Sequence, residues 1–400
     1  MDSWYKIFND IVNDNIPMKE KRVKRQSQPK WFTEEINQAI KDRDRLLKKA
    51  KRSQHNNDTA IYKISKNNVT TLIRRHKKTY FKTQVAENRK NPKKLWSLVR
   101  DLSNTNDAER SNFSMLSEEN KIIRDSSEIA EVFNGYFIDQ PRRLLSSITS
   151  ALSNTSTGLV QYGLLKMNIQ ITCKFELPLI TQDKVNNYLK SMPSHKATGS
   201  DGLSIKLLKI AASAISPSIC KLINHCISKN EFPSQWKIAR VTPIFKNQGQ
   251  KDDKSNYRPI SVLPILSKVY EKHIHESLYE YCNKNNILHN LQSGFRKGYS
   301  TESALIRIID QILFDLDSNK ISGLVFVDYK KAFDLIDHEI LLAKLKEYGL
   351  ESSEVQLFKN YLSNRKQYVQ IDGNKSSLKL ITNGVPQGSI LGPLLFSDIH

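Results

Sequence analysis

Two short segments near the end of the chain hold the residue types that can do chemistry. The first, FVDYKKAFD at Phe326–Asp334, continues the apolar, β-branched-rich run Ile321–Val327. That run reads as a buried strand, and Asp328 follows where the strand emerges, on a rigid edge from which a carboxylate can hold a metal ion. The second, GVPQGSILGPLLF at Gly384–Phe396, opens on a Gly-Val-Pro-Gln-Gly turn that suits neither regular helix nor strand. Such a turn lets backbone come close to a ligand, and Ser389 is placed to cap an apolar helix over Ile390–Phe396. Taken singly, each feature has a plainer use. An aspartate after a strand most often caps a helix or shapes a turn, and a glycine turn most often only leads into a helix.

The order of further segments shifts that balance. KATGSDGL (Lys196–Leu203), RVTPIFK (Arg240–Lys246), NYRPISVL (Asn256–Leu263) and LQSGFRKGYST (Leu291–Thr301) precede the first two. All six, in this order, resemble the reverse transcriptases of non-LTR, LINE-like retrotransposons of the jockey type, from about Phe175 to the last residue. The resemblance implies an α+β fold, with right-hand polymerase fingers and a partial palm preceded by a basic helical N-terminal region. It implies an RNA-directed DNA polymerase, a nucleotidyltransferase acting on an RNA template, a DNA primer and deoxynucleoside triphosphates. Such a transfer uses two divalent cations about 4 Å apart, here Mg²⁺, with Mn²⁺ as a substitute.

The same resemblance assigns roles residue by residue. Asp328 is the catalytic carboxylate and first metal ligand, with the backbone carbonyl of Tyr329 as a further hard oxygen donor. Phe333 resembles a gate beneath the incoming sugar that would clash with a ribose 2′-OH. Lys246 and Arg258, on the two strands of one hairpin, are implied triphosphate ligands, the Arg fork bidentate and the Lys a point charge. Gln387 and Gly388 belong to the floor of the nucleotide pocket. Gln292, Phe295 and Arg296 face the template strand, Arg296 through a phosphate. Without the family match, Phe333 reads as core and the cations as ordinary surface charge.

One part of the family pattern is not found in these 400 residues. It is the palm hairpin with an aromatic-Ala-Asp-Asp turn, which completes the metal site. Asp252 and Asp253 are adjacent but lie in a polar run without a flanking apolar strand, so they do not substitute. The expectation is a truncated chain, inactive alone. Two other functions stay open: a catalytically dead remnant that still binds nucleic acid, and an intron maturase-like protein. Against the second, the Gly388–Pro393 continuation resembles the retrotransposon form.

The elements that must position these residues divide the chain into four expected regions. They are a basic helical region for nucleic-acid binding or tethering at 1–103, a linker with a short helix at 104–174, fingers and an N-terminal extension at 175–320, and a partial palm at 321–400. The polymerase domain overall is expected at about 230–400. Helices are expected at Thr33–Arg52, capped by Thr33, and along the stripe Val69, Leu72, Ile73, His76 and Tyr80. Others fall at Ser126–Phe137, Asp183–Ser191 and Leu203–Ser228, and from Ser300 or Thr301 onward. Asp337 should cap a helix running to Tyr348, with Gly349 ending it. Arg240–Lys246 should pair with Tyr257–Leu263, and Lys366–Asp372 with Ser377–Thr382.

Composition agrees with a polyanion-binding chain. The formal net charge is +21, and residues 1–100 hold 26 Lys and Arg against 10 Asp and Glu, so the excess is an N-terminal property. A surface of that sign attracts nucleic acid by counterion release, and Tyr62, Tyr80, Phe81 and Trp96 lie among the cations as candidates for base stacking. Lys19–Arg25 (KEKRVKR) reads either as a nuclear-import signal or as a solvated basic arm. The four cysteines have no zinc-like spacing and are expected to be reduced and buried. No run approaches the roughly 18 apolar residues of a membrane span. The chain is therefore expected inside the cell, in nucleus or cytoplasm as a ribonucleoprotein, without a membrane partner.

Overall fold

The computed structural model describes residues 1–17, 28–89, 91–102, 115–118, 121–153 and 171–397. The basic heptapeptide Lys19–Arg25 lies outside the described residues. The chain divides into two compact units, Asp2–Asn112 and Phe113–His400. Among the described residues no helix is long and apolar enough to cross a membrane.

The first unit is helical: α1 Asp2–Asn15, α2 Glu34–Ser53, α3 Asn56–Glu87 and α4 Pro92–Leu102. Helix α2 starts after Thr33 as expected, although the Thr33 side chain makes no capping hydrogen bond. Glu34 and Glu35 in its first turn, with Lys51 and Arg52 in its last, complement the helix dipole. Gln54 in the left-handed conformation (φ 52°) turns the chain back. Helices α2 and α3 then run antiparallel, with His76 Nε2 2.9 Å from Glu35 and Lys49 Nζ 3.0 Å from Asp58. Val69 and Phe81 of α3 are buried, while Arg74, Arg75, Lys78 and Lys82 face solvent. The burial of Phe81 removes it from the base-stacking candidates.

The second unit mixes helix and sheet in an α+β arrangement. Its elements are β1 Leu116–Glu118, β2 Lys121–Ile123, α5 Ser126–Ser153, α6 Gln182–Ser191, α7 Ile205–Ile210, α8 Ala212–Ser228, β3 Ile238–Phe245, β4 Tyr257–Val262 and α9 Ile265–Lys284. These are followed by α10 Thr301–Asp317, α11 His338–Glu347, α12 Ser352–Leu362, β5 Arg365–Ile371, β6 Asn374–Lys375, β7 Lys379–Ile381 and α13 Gly392–Ser397. The sheet runs β4-β3-β5-β7, and β6 also pairs with β5. Strands β3 and β4 form the expected antiparallel hairpin, Arg240 opposite Val262 through Phe245 opposite Tyr257. Strand β5 joins β3 in parallel, Ile238 opposite Lys366, and pairs antiparallel with β7.

The segment read as a linker is in part core. Helix α5 extends well past Phe137, and Ile129, Ala130, Phe133 and Phe137 on it pack with Leu116 and Ile123 of the β1–β2 hairpin onto Val241, Tyr257, Val369 and Ile371 of the sheet. Each such large side chain contributes about 1.5–3 kcal/mol by leaving water. The polar seam is satisfied as well: Asn134 Nδ2 donates to the Ser377 carbonyl at 2.7 Å and its oxygen accepts from Gln367 at 3.1 Å. A second core gathers aromatic rings, with Phe232 stacked on Tyr270 (5.3 Å) and edge-on to Tyr361 (4.9 Å), beside the fully buried Trp236. The cysteines are unpaired, and three are buried; burial pushes the Cys226 thiol up to about 11.

The expected buried strand at Ile321–Val327 is not formed. Ile321 is 100% exposed and Val325 90%, and no described strand pairs with the run. β-Branched composition describes what a pleated surface tolerates, but a strand exists only once its N–H and C=O groups have partners. Helix α10 just before it has the expected start, a reciprocal capping box between Ser300 and Ser303, yet none of its residues is buried.

Candidate active site

The Gly-Val-Pro-Gln-Gly turn is held by its own protein on two sides. Gly384 donates its N–H to the Ile336 carbonyl at 2.8 Å, and Val385 donates to Phe333 at 2.9 Å. On the other side, the Ser261 N–H at the edge of β4 donates to the Gln387 carbonyl at 2.8 Å. Both glycines are forced by this fit. Gly384 (φ 77°) would place a Cβ 2.6 Å from the Phe333 carbonyl oxygen, and Gly388 (φ 121°) would place one 2.4 Å from that of Ser261. Only a residue without Cβ combines such φ values with such contacts. Ser389 then caps the short helix α13, its Oγ accepting from the Gly392 N–H at 3.0 Å and donating to the Pro386 carbonyl at 2.9 Å.

The segment after Asp328 meets this turn through Asp334. The Gln387 amide donates to the Asp334 carboxylate at 3.2 Å, and burial raises the Asp334 pKa against the opposing pull of Lys331 and Gln387. Lys331, in the left-handed conformation (φ 55°), lies 5.2 Å from the centre of the Tyr136 ring. Burial lowers its pKa, and Asp334 opposes the shift. Helix α5 therefore contributes to the neighbourhood, and Arg142 and Phe137 line a small cavity with Asp334, Ser261 and Gln387.

Lys246 and Arg258 lie on one face of the β3–β4 hairpin, because Arg258 stands opposite Ile244, which shares its face with Lys246 two residues on. Both are exposed, whereas Phe245 and Tyr257 turn to the opposite face, their rings 5.4 Å apart. Lys246 Nζ donates to the Ser255 carbonyl at 2.7 Å, which holds its head over the tip of the hairpin.

Phe333 is half-buried, stacked on Phe396 at 5.0 Å and edge-on to Phe295 at 6.0 Å. The structure thus brings Phe295, Phe333, Gln387 and Gly388 together around the turn. Arg296 is engaged within its own loop, donating to the His289 carbonyl at 2.8 Å with its guanidinium 4.7 Å from the Tyr299 ring centre. Gln292 donates to the Gly294 carbonyl at 3.3 Å. Asp328 and Tyr329 are both exposed. Among the described residues no three His, Cys, Asp or Glu side chains converge as a metal-binding group. One carboxylate and one backbone oxygen do not by themselves complete the six-oxygen shell of Mg²⁺.

The sequence reading missed a buried carboxylate behind the turn. Glu271 of α9 is fully buried; its carboxylate accepts from Ser267 Oγ at 2.8 Å and from the Ile390 N–H at 2.7 Å. The charge of Arg365 on β5, 1% exposed, also acts on it without a salt-bridge contact; Arg365 donates to the Tyr361 carbonyl at 2.9 Å and covers the Tyr361 ring at 4.7 Å. Burial pushes the Glu271 pKa up, against Arg365 and the two donors. The signal was available: Glu271 interrupts a helical stripe of buried residues, Ser267, Tyr270, Ile274 and Leu278, and a carboxylate in that place requires partners.

Residues 246–399, which contain the hairpin lysine and both site loops, match the family described as Reverse transcriptase (RNA-dependent DNA polymerase). Among curated proteins, the probable RNA-directed DNA polymerase from transposon BS of Drosophila melanogaster is 32% identical over 232 residues, 58% of this chain and 26% of that protein. The RNA-directed DNA polymerase from mobile element jockey of the same species is 33% identical over 227 residues, 56% of this chain and 25% of its own length. The chain carries a reverse transcriptase domain of the non-LTR retrotransposon type. A retrovirus-related Pol polyprotein from type-1 retrotransposable element R2 of Popillia japonica is a more distant relative, 26% identical over 204 residues, 51% of this chain and 27% of that protein. The chain spans about a quarter of the length of the curated relatives it matches. The family of this reverse transcriptase domain is one of nucleotidyltransferases, and its matched part begins on the hairpin and ends two residues past α13.

Proposed function

We propose that the reverse transcriptase domain binds an RNA template, a DNA primer and a deoxynucleoside triphosphate, with the β3–β4 hairpin as fingers and the loops at 328–337 and 384–391 as the floor of a palm. The observation that carries this reading is the two-sided anchoring of the Gln387–Gly388 turn, at once to the Asp334 segment and to the edge of β4. A floor fixed in this way holds the nucleotide against the hairpin without reorganising when it binds. Lys246 and Arg258 contact the triphosphate from the exposed hairpin face, Gln387 and Gly388 lie under the base and sugar, and Phe333 restricts the 2′ position. Gln292, Phe295 and Arg296 form the loop that receives the template. Within that loop the Arg296 guanidinium stiffens the backbone through His289, leaving a neighbouring N–H or cation to meet phosphate.

Divalent metal, when bound in this family, activates the primer hydroxyl and neutralises the triphosphate. Asp328 and the Tyr329 carbonyl would supply two of its oxygens. The paired aspartates of the family's palm are not among these 400 residues, so a polypeptide of this sequence should bind template-primer without extending it. The test is the dissociation rate of a labelled template-primer from the chain. A deoxynucleotide complementary to the template should slow release, a mismatched one should not, and Arg258→Ala should remove the difference. Equal effects of matched and mismatched nucleotides would leave only a non-selective binding protein.

A further inference from the structure

The first unit contains a groove that the polymerase motifs do not use. It has a volume of about 600 Å³ and is walled by the segment before α2, the C-terminal half of α3 and one side of α4. That volume lies within the roughly 300–1,000 Å³ of sites that enclose a small ligand or a ligand's recognised part. Three aromatic residues line it: Phe81 is buried, while Trp31 and Tyr80 are half-buried, so that each of these two has a fixed body and an accessible portion. Three lysines join them: Lys30, Lys77 and Lys94, of which Lys77 holds its ammonium 5.8 Å from the centre of the Trp31 ring. Asp101 is the single carboxylate of the lining, so the groove keeps a net positive charge.

We propose that this groove is a binding site for single-stranded nucleic acid, in which a base stacks on Trp31 beside Tyr80 and the flanking phosphates meet Lys30, Lys77 and Lys94. The combination of a concave aromatic wall and a cationic rim decides the ligand class. Unpaired bases offer open π faces, and each base–aromatic contact of this kind is sequence-tolerant. A duplex buries those faces in its own stack. An anionic membrane would satisfy the lysines but leave recessed rings without a partner. The site lies entirely within the first unit, so it would hold a strand independently of nucleotide selection in the reverse transcriptase domain.

The test uses the full chain. A short oligouridylate carrying 4-thiouridine is photocrosslinked, and the modified peptides are identified by mass spectrometry. Adducts at Trp31 or Tyr80 are expected; adducts confined to residues 171–397 would overturn the proposal. In parallel, affinity is measured for the oligouridylate, its deoxy counterpart and an abasic strand of equal length. Trp31→Ala should weaken binding roughly five- to 150-fold, the span of base–aromatic stacking, while Trp31→Phe should retain most of it and so separate lost stacking from lost folding. Lys77→Ala and Lys94→Ala should each make the log-affinity against log-salt slope shallower by about 0.7. Equal binding of the abasic strand, or of anionic vesicles in competition, would overturn the stacking role. The ribo and deoxy arms report whether RNA, DNA or both are held. Trp31→Ala should leave the matched-nucleotide effect on template-primer intact, so this proposal and the polymerase reading can fail separately.

Discussion

Replacing Gly388 by alanine tests whether the turn is held as tightly as its contacts indicate. The new Cβ would lie 2.4 Å from the Ser261 carbonyl oxygen, whereas ordinary contact begins at 3.4 Å, so turn and strand must part by about 1 Å. A φ of 121° adds about 1–3 kcal/mol of backbone strain for any residue with a side chain. Parting also breaks the 2.8 Å bond from the Ser261 N–H to Gln387, worth about 0.5–1.5 kcal/mol net. The expected total is about 1.5–4.5 kcal/mol. Gly373→Ala is the matched control, because Gly373 has a φ of 90° but nothing within 4 Å of its added Cβ. The control should show the conformational part alone. Hydrogen exchange at the buried amides of β3 and β5 reports the second unit without interference from the first, and the Ser261 amide reports the contact itself. If Gly388→Ala matches Gly373→Ala within about 0.5 kcal/mol and the Ser261 amide stays protected, the turn is not anchored on β4 and the reasoning fails.

The remaining expectations concern charge. Burial raises the Asp334 pKa above its ordinary 3.8, so the folded state holds that proton more firmly than the unfolded state, and the stability this contributes at low pH is lost as pH rises through the folded value. Asp334→Asn, which keeps an oxygen for Gln387, should lose less stability than wild type over that rise, as read by urea denaturation at stepped pH. Lys237 is 5% exposed, and its ammonium donates to Asn360 at 2.9 Å; burial, with Arg365 second, holds its pKa down to about 8. The unfolded chain keeps that proton to 10.5, so wild-type stability should rise between pH 8 and 10.5 by at most about 3 kcal/mol, and Lys237→Met should flatten the rise. Glu271→Met removes both acceptor oxygens, so the Ile390 amide should exchange faster and stability fall by about 1–3 kcal/mol; unchanged Ile390 protection would show that Glu271 does not hold the turn.

Local signals in the chain proved readable where the physics was local. Asp337 caps α11 by accepting from the Glu339 and Ile340 amides, and Gly349 follows in the left-handed conformation (φ 85°). Both hairpins pair close to their expected registers, since alternation and turn chemistry lie within a few residues of each other. Distant contacts were not readable in the same way. The close approach expected of Gly388 is to Ser261, far earlier in the chain, and the segment at 104–174 reads as polar and weakly patterned, although Leu116, Ile123 and Phe133 supply one face of the core.

The two aspartates of the FVDYKKAFD segment separate these cases. Asp334 is fixed by what surrounds it: a backbone bond to the Lys331 carbonyl at 2.9 Å, the Gln387 amide and burial that acts on its charge. Asp328, which the motif resemblance singles out for catalysis, follows an apolar run that pairs with no strand among the described residues. The position of a metal ligand is only as definite as the backbone that carries it, and a strand end is rigid because its ladder is made. The motif resemblance can therefore single out Asp328 as a candidate, but its geometry depends on a pairing partner for residues 321–327. The turn at 384–388 needs no such partner, since its anchors, Ser261, Phe333 and Ile336, are already in place.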